Sequence, residues 1–166
     1  MYTIISATNR QGSHTEKVSK EYQKILLQKG IKASVLSLQD LDVLHYNLQF
    51  KKVEDEYLIP AQKFIFIIPE YNGSFPGVLK AMIDISDIKK TWWGKKALLT
   101  GVSSGRAGNL RGIDQFSDIL NHIKITVHYN KLPISGIDAV MDENGVITNK
   151  TTLLVIQQQL DDFIKF

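Results

Sequence analysis

The chain of 166 residues contains no cysteine. That absence excludes disulfides, thiol nucleophiles and thiolate metal sites, and it fits a reducing compartment. No apolar run approaches the roughly 20 residues that a membrane span needs. The opening Met1–Ser6 is already strand-like, leaving no room for a basic–apolar leader. A dense basic tract is missing too: the lysines scatter (Lys17, Lys20, Lys24, Lys29, Lys32) and the net charge is only +3. The expectation is a cytoplasmic protein with no membrane and no nucleic-acid partner, whose mild positive balance suits small anionic ligands.

Several catalytic signatures are also lacking. No G-x-G-x-x-G follows the first apolar run and no G-x-x-x-x-G-K-[ST] occurs anywhere, which removes the main marks of dinucleotide binding and of nucleotide hydrolysis. There is no G-x-S-x-G elbow for a hydrolytic serine. His14, His45, His122 and His128 have neither ligand spacing nor a paired acid in sequence, so no metal site and no catalytic side chain are expected. Such a chain can still be an enzyme if a cofactor carries the chemistry.

What is present is a soluble-protein composition, 43% hydrophobic and 22% charged, with an apolar period that alternates between strand and helix. Tyr2–Ala7, Lys32–Ser37, Lys63–Pro69, Lys96–Thr100 and Ile125–Tyr129 read as strands. Helices are expected from His14 to Lys29, closed by Gly30, from Pro76 onward through Leu79, Met82, Ile83 and Ser86, from Leu110 to Ile123, and from Thr151 to Ile164. The stretch Leu38–Tyr57 reads as irregular with a short helix. Five strands alternating with helices predict an α/β doubly wound parallel sheet with helices on both faces, in one domain over 1–166.

In such sheets a ligand binds beyond the carboxyl ends of the strands, and three loops there have unusual composition. Thr8–Thr15 brings hydroxyls at Thr8, Ser13 and Thr15 together with Arg10 at a helix N-terminus, beside Gln11 and His14. Free amides and the helix dipole favour an anion there, and Arg adds a forked contact. Ser13 or Thr15 also suits a helix cap, which is compatible with phosphate binding. The second loop, Pro69-Glu70-Tyr71-Asn72-Gly73 and on to Gly77, mixes flat apolar surface with exposed backbone and suits a planar heteroaromatic ring. The third, Gly101–Gly108, carries Ser103, Ser104, Gly105 and Arg106, which could wrap a ring edge. Hydroxyls and Arg10 without dinucleotide glycines favour a mononucleotide.

These loops resemble those of the NADPH-dependent FMN reductase family of flavodoxin-like proteins. Ser6–Ser13 is similar to that family's G-S-x-R-x-x-S, with Ala7 where Gly is usual. Pro69–Lys80, continuing to Asp84, is similar to P-E-Y-N-x-S-x-P-G-x-L-K…D, with Ala81 and Ile85 where Asn and Trp are common. Gly105–Gly108 resembles the glycine-rich third loop. The resemblance implies a strand order 2-1-3-4-5 and FMN as cofactor. It places the phosphate at Thr8, Arg10 and Ser13, and the ring between Pro69–Gly73 and Ser103–Arg106. It also implies NADPH or NADH as co-substrate, ping-pong hydride transfer, and a small acceptor such as a quinone, azo compound, free flavin or metal oxyanion. A flavodoxin-like FMN electron-transfer protein is the second reading, against which the positive charge argues. Glu70 could orient the nicotinamide or be a solvated carboxylate, and Arg106 or Arg111 could meet the extra phosphate of NADPH. Trp92 and Trp93 suit either core packing or a subunit interface, and the resemblance implies a homodimer or homotetramer.

Overall fold

The computed structural model describes residues 1–166. Its elements run β1 (Tyr2–Ser6), α1 (His14–Gln28), β2 (Ala33–Ser37), α2 (Leu48–Val53), a π-helical turn (Glu54–Leu58), β3 (Lys63–Pro69), α3 (Gly77–Ile85), α4 (Ile88–Thr91), β4 (Lys96–Val102), α5 (Leu110–His122), β5 (Thr126–Val127), β6 (Leu132–Ile134), α6 (Ile137–Val140) and α7 (Lys150–Lys165). All strand pairs are parallel, in the order β2-β1-β3-β4-β5. The doubly wound order 2-1-3-4-5 therefore holds.

Alternation along the strands divides the core in two. Phe64, Phe66 and Ile68 of β3 face α3 and α5, whereas Ile65 and Ile67 face α1 and α7. A strand covered on both faces must be apolar at every position, which is why β3 reads as a continuous run. Trp92 is fully buried against Phe64 and Phe66, and its indole N–H donates to Ser86 Oγ at 2.7 Å. Trp93 stays 40% exposed. Adjacent tryptophans thus take opposite roles, one in the core and one at the surface.

Helix boundaries follow from caps. Ser13 Oγ accepts from the Glu16 N–H to open α1, and Gly30 (φ +76) closes it with its N–H on the Leu27 carbonyl. Pro76 sits one position earlier than a first-turn residue: it is the extended residue before α3. Ser86, expected on the helix face, is the extended residue that ends it.

The fifth strand departs from expectation. Only Thr126 and Val127 pair with β4, and Tyr129 is exposed rather than in a strand. Pairing resumes at Leu132–Ile134, opposite Thr100–Val102. Four residues, His128–Lys131, thus face the two β4 residues Leu98 and Leu99, so the edge bulges and the fifth position in the sheet is split into β5 and β6. Gln159 of α7 fills the gap. Its Nε2 donates to the Leu99 and Asn130 carbonyls, and its Oε1 accepts from Tyr22 Oη at 2.6 Å and from Thr100 Oγ1 at 3.2 Å. The side chain supplies the partners that a regular ladder would have supplied.

Lys95 plays a similar part at the other end of the sheet. It is buried, and its Nζ donates to the Leu58 and Ile59 carbonyls at 2.8 Å each, closing the π-helical turn. Burial pulls its ammonium down to about 8. Between that value and the ordinary 10.5 the unfolded chain keeps a proton that the folded chain has released. Raising the pH through this window therefore favours the folded state. Urea midpoints of the wild type, relative to Lys95→Met, should rise from pH 8 to 10; a flat difference would show that burial does not depress this ammonium.

Candidate functional site

The carboxyl ends of β1, β3 and β4 meet where the strand order reverses, between β1 and β3, and a cleft of about 360 Å³ opens there. A larger apolar groove, about 640 Å³, lies away from the strand ends between α3 and α5. We place the functional site in the smaller cleft, because it alone gathers helix amides, an arginine and polar loops. Its volume falls within the roughly 300–1,000 Å³ usual for ligand sites.

Of the residues singled out from the sequence, Arg10, Gln11, Ser13, His14, Thr15, Pro69, Glu70, Tyr71, Ser103 and Ser104 line this cleft together. Thr8, Asn72, Gly73, Gly105 and Arg106 are not among the lining residues. The amides of His14 and Thr15 lie at the start of α1, where no preceding helical carbonyl exists for them to bond. Arg10 is the one lysine or arginine at the cleft, and it forms no ion pair. Thr8 is buried. Its Oγ1 accepts from the Arg10 N–H and shares a hydrogen bond with Tyr71 Oη, so this hydroxyl shapes the loop from beneath.

The second loop is a tight two-residue turn. Tyr71 and Ser74 exchange both backbone hydrogen bonds, 2.9 and 3.1 Å, with Asn72 (φ +52) and Gly73 (φ +78) left-handed between them. Asn-Gly is the dipeptide such a turn selects. The amides of Asn72 and Gly73 donate to no protein acceptor, which leaves them free beside the cleft. Behind the turn, Asn109 (φ +63), fully buried at the start of α5, donates from Nδ2 to the Ile68 and Pro69 carbonyls at 3.0 Å each. Asn109 fixes where the turn leaves β3.

The third loop closes on itself. Ser103 Oγ donates to the Gly105 carbonyl and accepts from the Gly108 N–H, both at 3.0 Å. Its hydroxyl braces the loop, and Ser104 is the exposed member at the cleft. Arg106 is exposed on the outer side of the loop.

Three lining residues were not anticipated: Val102, Ile137 and Asp138. The last two open α6, reached through a fourth loop, Ser135-Gly136, and this corner docks on the third loop through Gly136 N–H to the Gly105 carbonyl and Ile137 N–H to the Ser103 carbonyl. Gly136 itself is left-handed (φ +57), and Ser135-Gly136 after the apolar Leu132–Ile134 was the available signal. Asp138 comes within 3.5 Å of His14 Nδ1 across the cleft mouth. The donor set of Arg10, the α1 amides, and Ser13 and Thr15 fits a phosphate, and the free turn amides fit the polar edge of a ring.

Comparison with known proteins gives the chain a family and a fold likeness. A 2-hydroxy-1,4-benzoquinone reductase from a Burkholderia species is 27% identical over 130 residues, covering 71% of this chain and 68% of that protein. An NAD(P)H-dependent FMN reductase from Pseudomonas aeruginosa is 33% identical over 110 residues, covering 63% of this chain and 58% of its own length. Among solved structures, a flavoenzyme NAD(P)H:(acceptor) oxidoreductase from Paracoccus denitrificans superposes with a TM-score of 0.81. It is 23% identical, with 99% of this chain and 94% of that one covered, which establishes likeness of fold. Residues 2–136, from the first strand through all four cleft loops to Gly136, match the NADPH-dependent FMN reductase family, and to that family the chain belongs.

Proposed function

We propose that the cleft holds FMN with its phosphate at Arg10 and the N-terminus of α1, and its ring between the turn Pro69–Gly73 and the loop Ser103–Arg106. The observation that carries this reading is the convergence of an unpaired Arg10 and unbonded helix amides on one cleft at the β1/β3 reversal, with the unbonded amides of Asn72 and Gly73 directly following its lining residue Tyr71. As a family member the chain is an FMN-dependent NAD(P)H oxidoreductase, an enzyme rather than a passive electron carrier. Bound there, FMN would supply the hydride chemistry that links NAD(P)H to a small acceptor.

The protein's own contribution is binding and orientation. Arg10 and the α1 amides would meet a dianionic phosphate with charge-assisted bonds. The Asn72 and Gly73 amides would donate to the ring's polar edge and stabilise negative charge there. Ser103, through its two loop bonds, would keep Ser104 to Arg106 in place on the opposite side. Glu70, exposed at the rim, would orient the nicotinamide.

No helix is long and apolar enough to cross a membrane. Within this reading the chain acts as one domain in the cytoplasm, which the lack of cysteine supports. Self-association into a homodimer or homotetramer is supported by Trp93, half-exposed beside the groove lined by Ile83, Ile88, Ile119 and Ile123. Sedimentation equilibrium should return an integral multiple of 18.8 kDa greater than one.

The decisive experiment is spectroscopic. Purified protein given FMN should retain it through gel filtration, and anaerobic NADH or NADPH should bleach its visible absorbance. Protein that neither carries nor takes up FMN would overturn the proposal.

A further inference from the structure

We propose that Tyr71 is a positioning residue that holds Arg10 ready for a phosphate and so makes the site select FMN over unphosphorylated riboflavin; this rests on the FMN reading above. Arg10 belongs to the first loop and Tyr71 to the second, 61 positions on, yet the guanidinium carbon stands 4.1 Å from the centroid of the Tyr71 ring. No carboxylate holds Arg10; its nearest anchor apart from this ring is its own N–H on Thr8 Oγ1 at 3.2 Å. The same Thr8 hydroxyl hydrogen-bonds Tyr71 Oη. Thr8, Arg10 and Tyr71 thus form a closed triangle between the phosphate loop and the ring loop.

The geometry decides what this contact can do. A guanidinium stacked on an aromatic face uses its face for the contact, while its five N–H groups point outward in its own plane. Stacking on Tyr71 therefore leaves the forked edge of Arg10 available to a phosphate. A free arginine gives up side-chain entropy on binding, and prior stacking removes part of that cost. The tyrosine ring is itself fixed at both ends, by Thr8 at Oη and by the Tyr71–Ser74 backbone pair. Its hold on Arg10 should therefore be felt more by the phosphate than by the ring of the cofactor.

FMN and riboflavin differ only in that phosphate, so paired titrations of flavin-free protein, followed by quenching of flavin fluorescence, test the assignment. Arg10→Met should weaken FMN binding by roughly 10- to 100-fold, the range of a hydrogen-bonded charge, with riboflavin changed less than about 2-fold. Tyr71→Leu should weaken FMN by about 5- to 10-fold, the range of a partly exposed cation–π contact plus lost order, and riboflavin by less, through the turn alone. Tyr71→Phe keeps the aromatic face and should stay within about 3-fold of wild type for FMN. In the Arg10→Met background, adding Tyr71→Leu should cost less than about 2-fold further, because the two act through one contact.

Equal losses for FMN and riboflavin in Tyr71→Leu would overturn the inference and mark Tyr71 as a general support of the cleft. So would additivity with Arg10→Met, or a Tyr71→Phe variant as weak as Tyr71→Leu. Failure of the wild type to bind either flavin would overturn the FMN reading itself, a result distinct from all of these.

Discussion

Gln159→Leu is expected to lower the stability of the chain by about 3 kcal/mol. The leucine matches the glutamine in size, so no cavity opens and the cost comes from stranded polar groups. The Leu99 and Asn130 carbonyls lose their donor, and the Tyr22 hydroxyl proton loses its acceptor. Each buried orphan costs roughly 1–3 kcal/mol. Tyr22 and Thr100 keep their mutual bond at 2.8 Å, which limits the damage on that side. Adding Tyr22→Phe should cost less than the same change costs in the wild type, because the phenol's bond to Gln159 is already gone. Burial already pushes the Tyr22 phenol well above its ordinary range, so it cannot escape by ionising. Urea unfolding of the single and double variants measures both quantities, and a neutral Gln159→Leu would mean that the bulge at His128–Lys131 holds without its plug. The stake reaches the cleft, because β6, pinned beside Thr100, leads straight through the fourth loop to Ile137 and Asp138.

The same side chain shows where the sequence stops being legible. β1, β3 and β4 could be read because strands buried on both faces are apolar at every position. Ile125–Tyr129 looked like a fifth such strand, but its continuation depends on a glutamine 30 positions further along, in a helix whose apolar face gives no hint of it. The cleft divides in the same manner. Arg10, Ser13, Thr15 and the Asn72-Gly73 turn were visible from residue type, since helix starts and left-handed turns select particular residues. Composition does not reveal which way a hydroxyl points: Thr8 and Ser103 bond within their own structure. Asn109 passed for a loop residue because its function comes from its amide reaching back to β3 across 40 and 41 positions. Asp138 was hidden behind a three-residue strand that contains a proline.

Gly112→Ala should destabilise the chain by about 1–2 kcal/mol and weaken FMN and riboflavin alike, by roughly 10-fold. The sign is the informative part. In an ordinary helix interior the same change stabilises by about 0.5–1 kcal/mol, because alanine is the better helix former. Here a Cβ on Gly112 would stand 2.8 Å from both the Phe75 nitrogen and the Ser74 carbonyl carbon, and would collide with the Asn109 side-chain oxygen. Two of these atoms are backbone and cannot turn aside. Overpacking of that kind costs about 1–3 kcal/mol, which outweighs the helix gain. Either the Asn109 amide is pushed off the Ile68 and Pro69 carbonyls, or Ser74 and Phe75 move away from α5. In both cases the turn that presents the Asn72 and Gly73 amides shifts relative to β3. In the proposed site those amides meet the ring, which both flavins share, so the loss should not distinguish them. That pattern differs from the one expected for Tyr71→Leu, where the phosphorylated flavin is affected more than the unphosphorylated one. Gly77→Ala provides the control at another helix start, since nothing lies within 4 Å of its Cβ position, and it should be neutral or slightly stabilising. Thermal melts of the three flavin-free proteins with paired FMN and riboflavin titrations make the comparison. A Gly112→Ala chain more stable than wild type would show that α5 and the ring turn have room to part, and that the close approach at Gly112 is not what positions the turn.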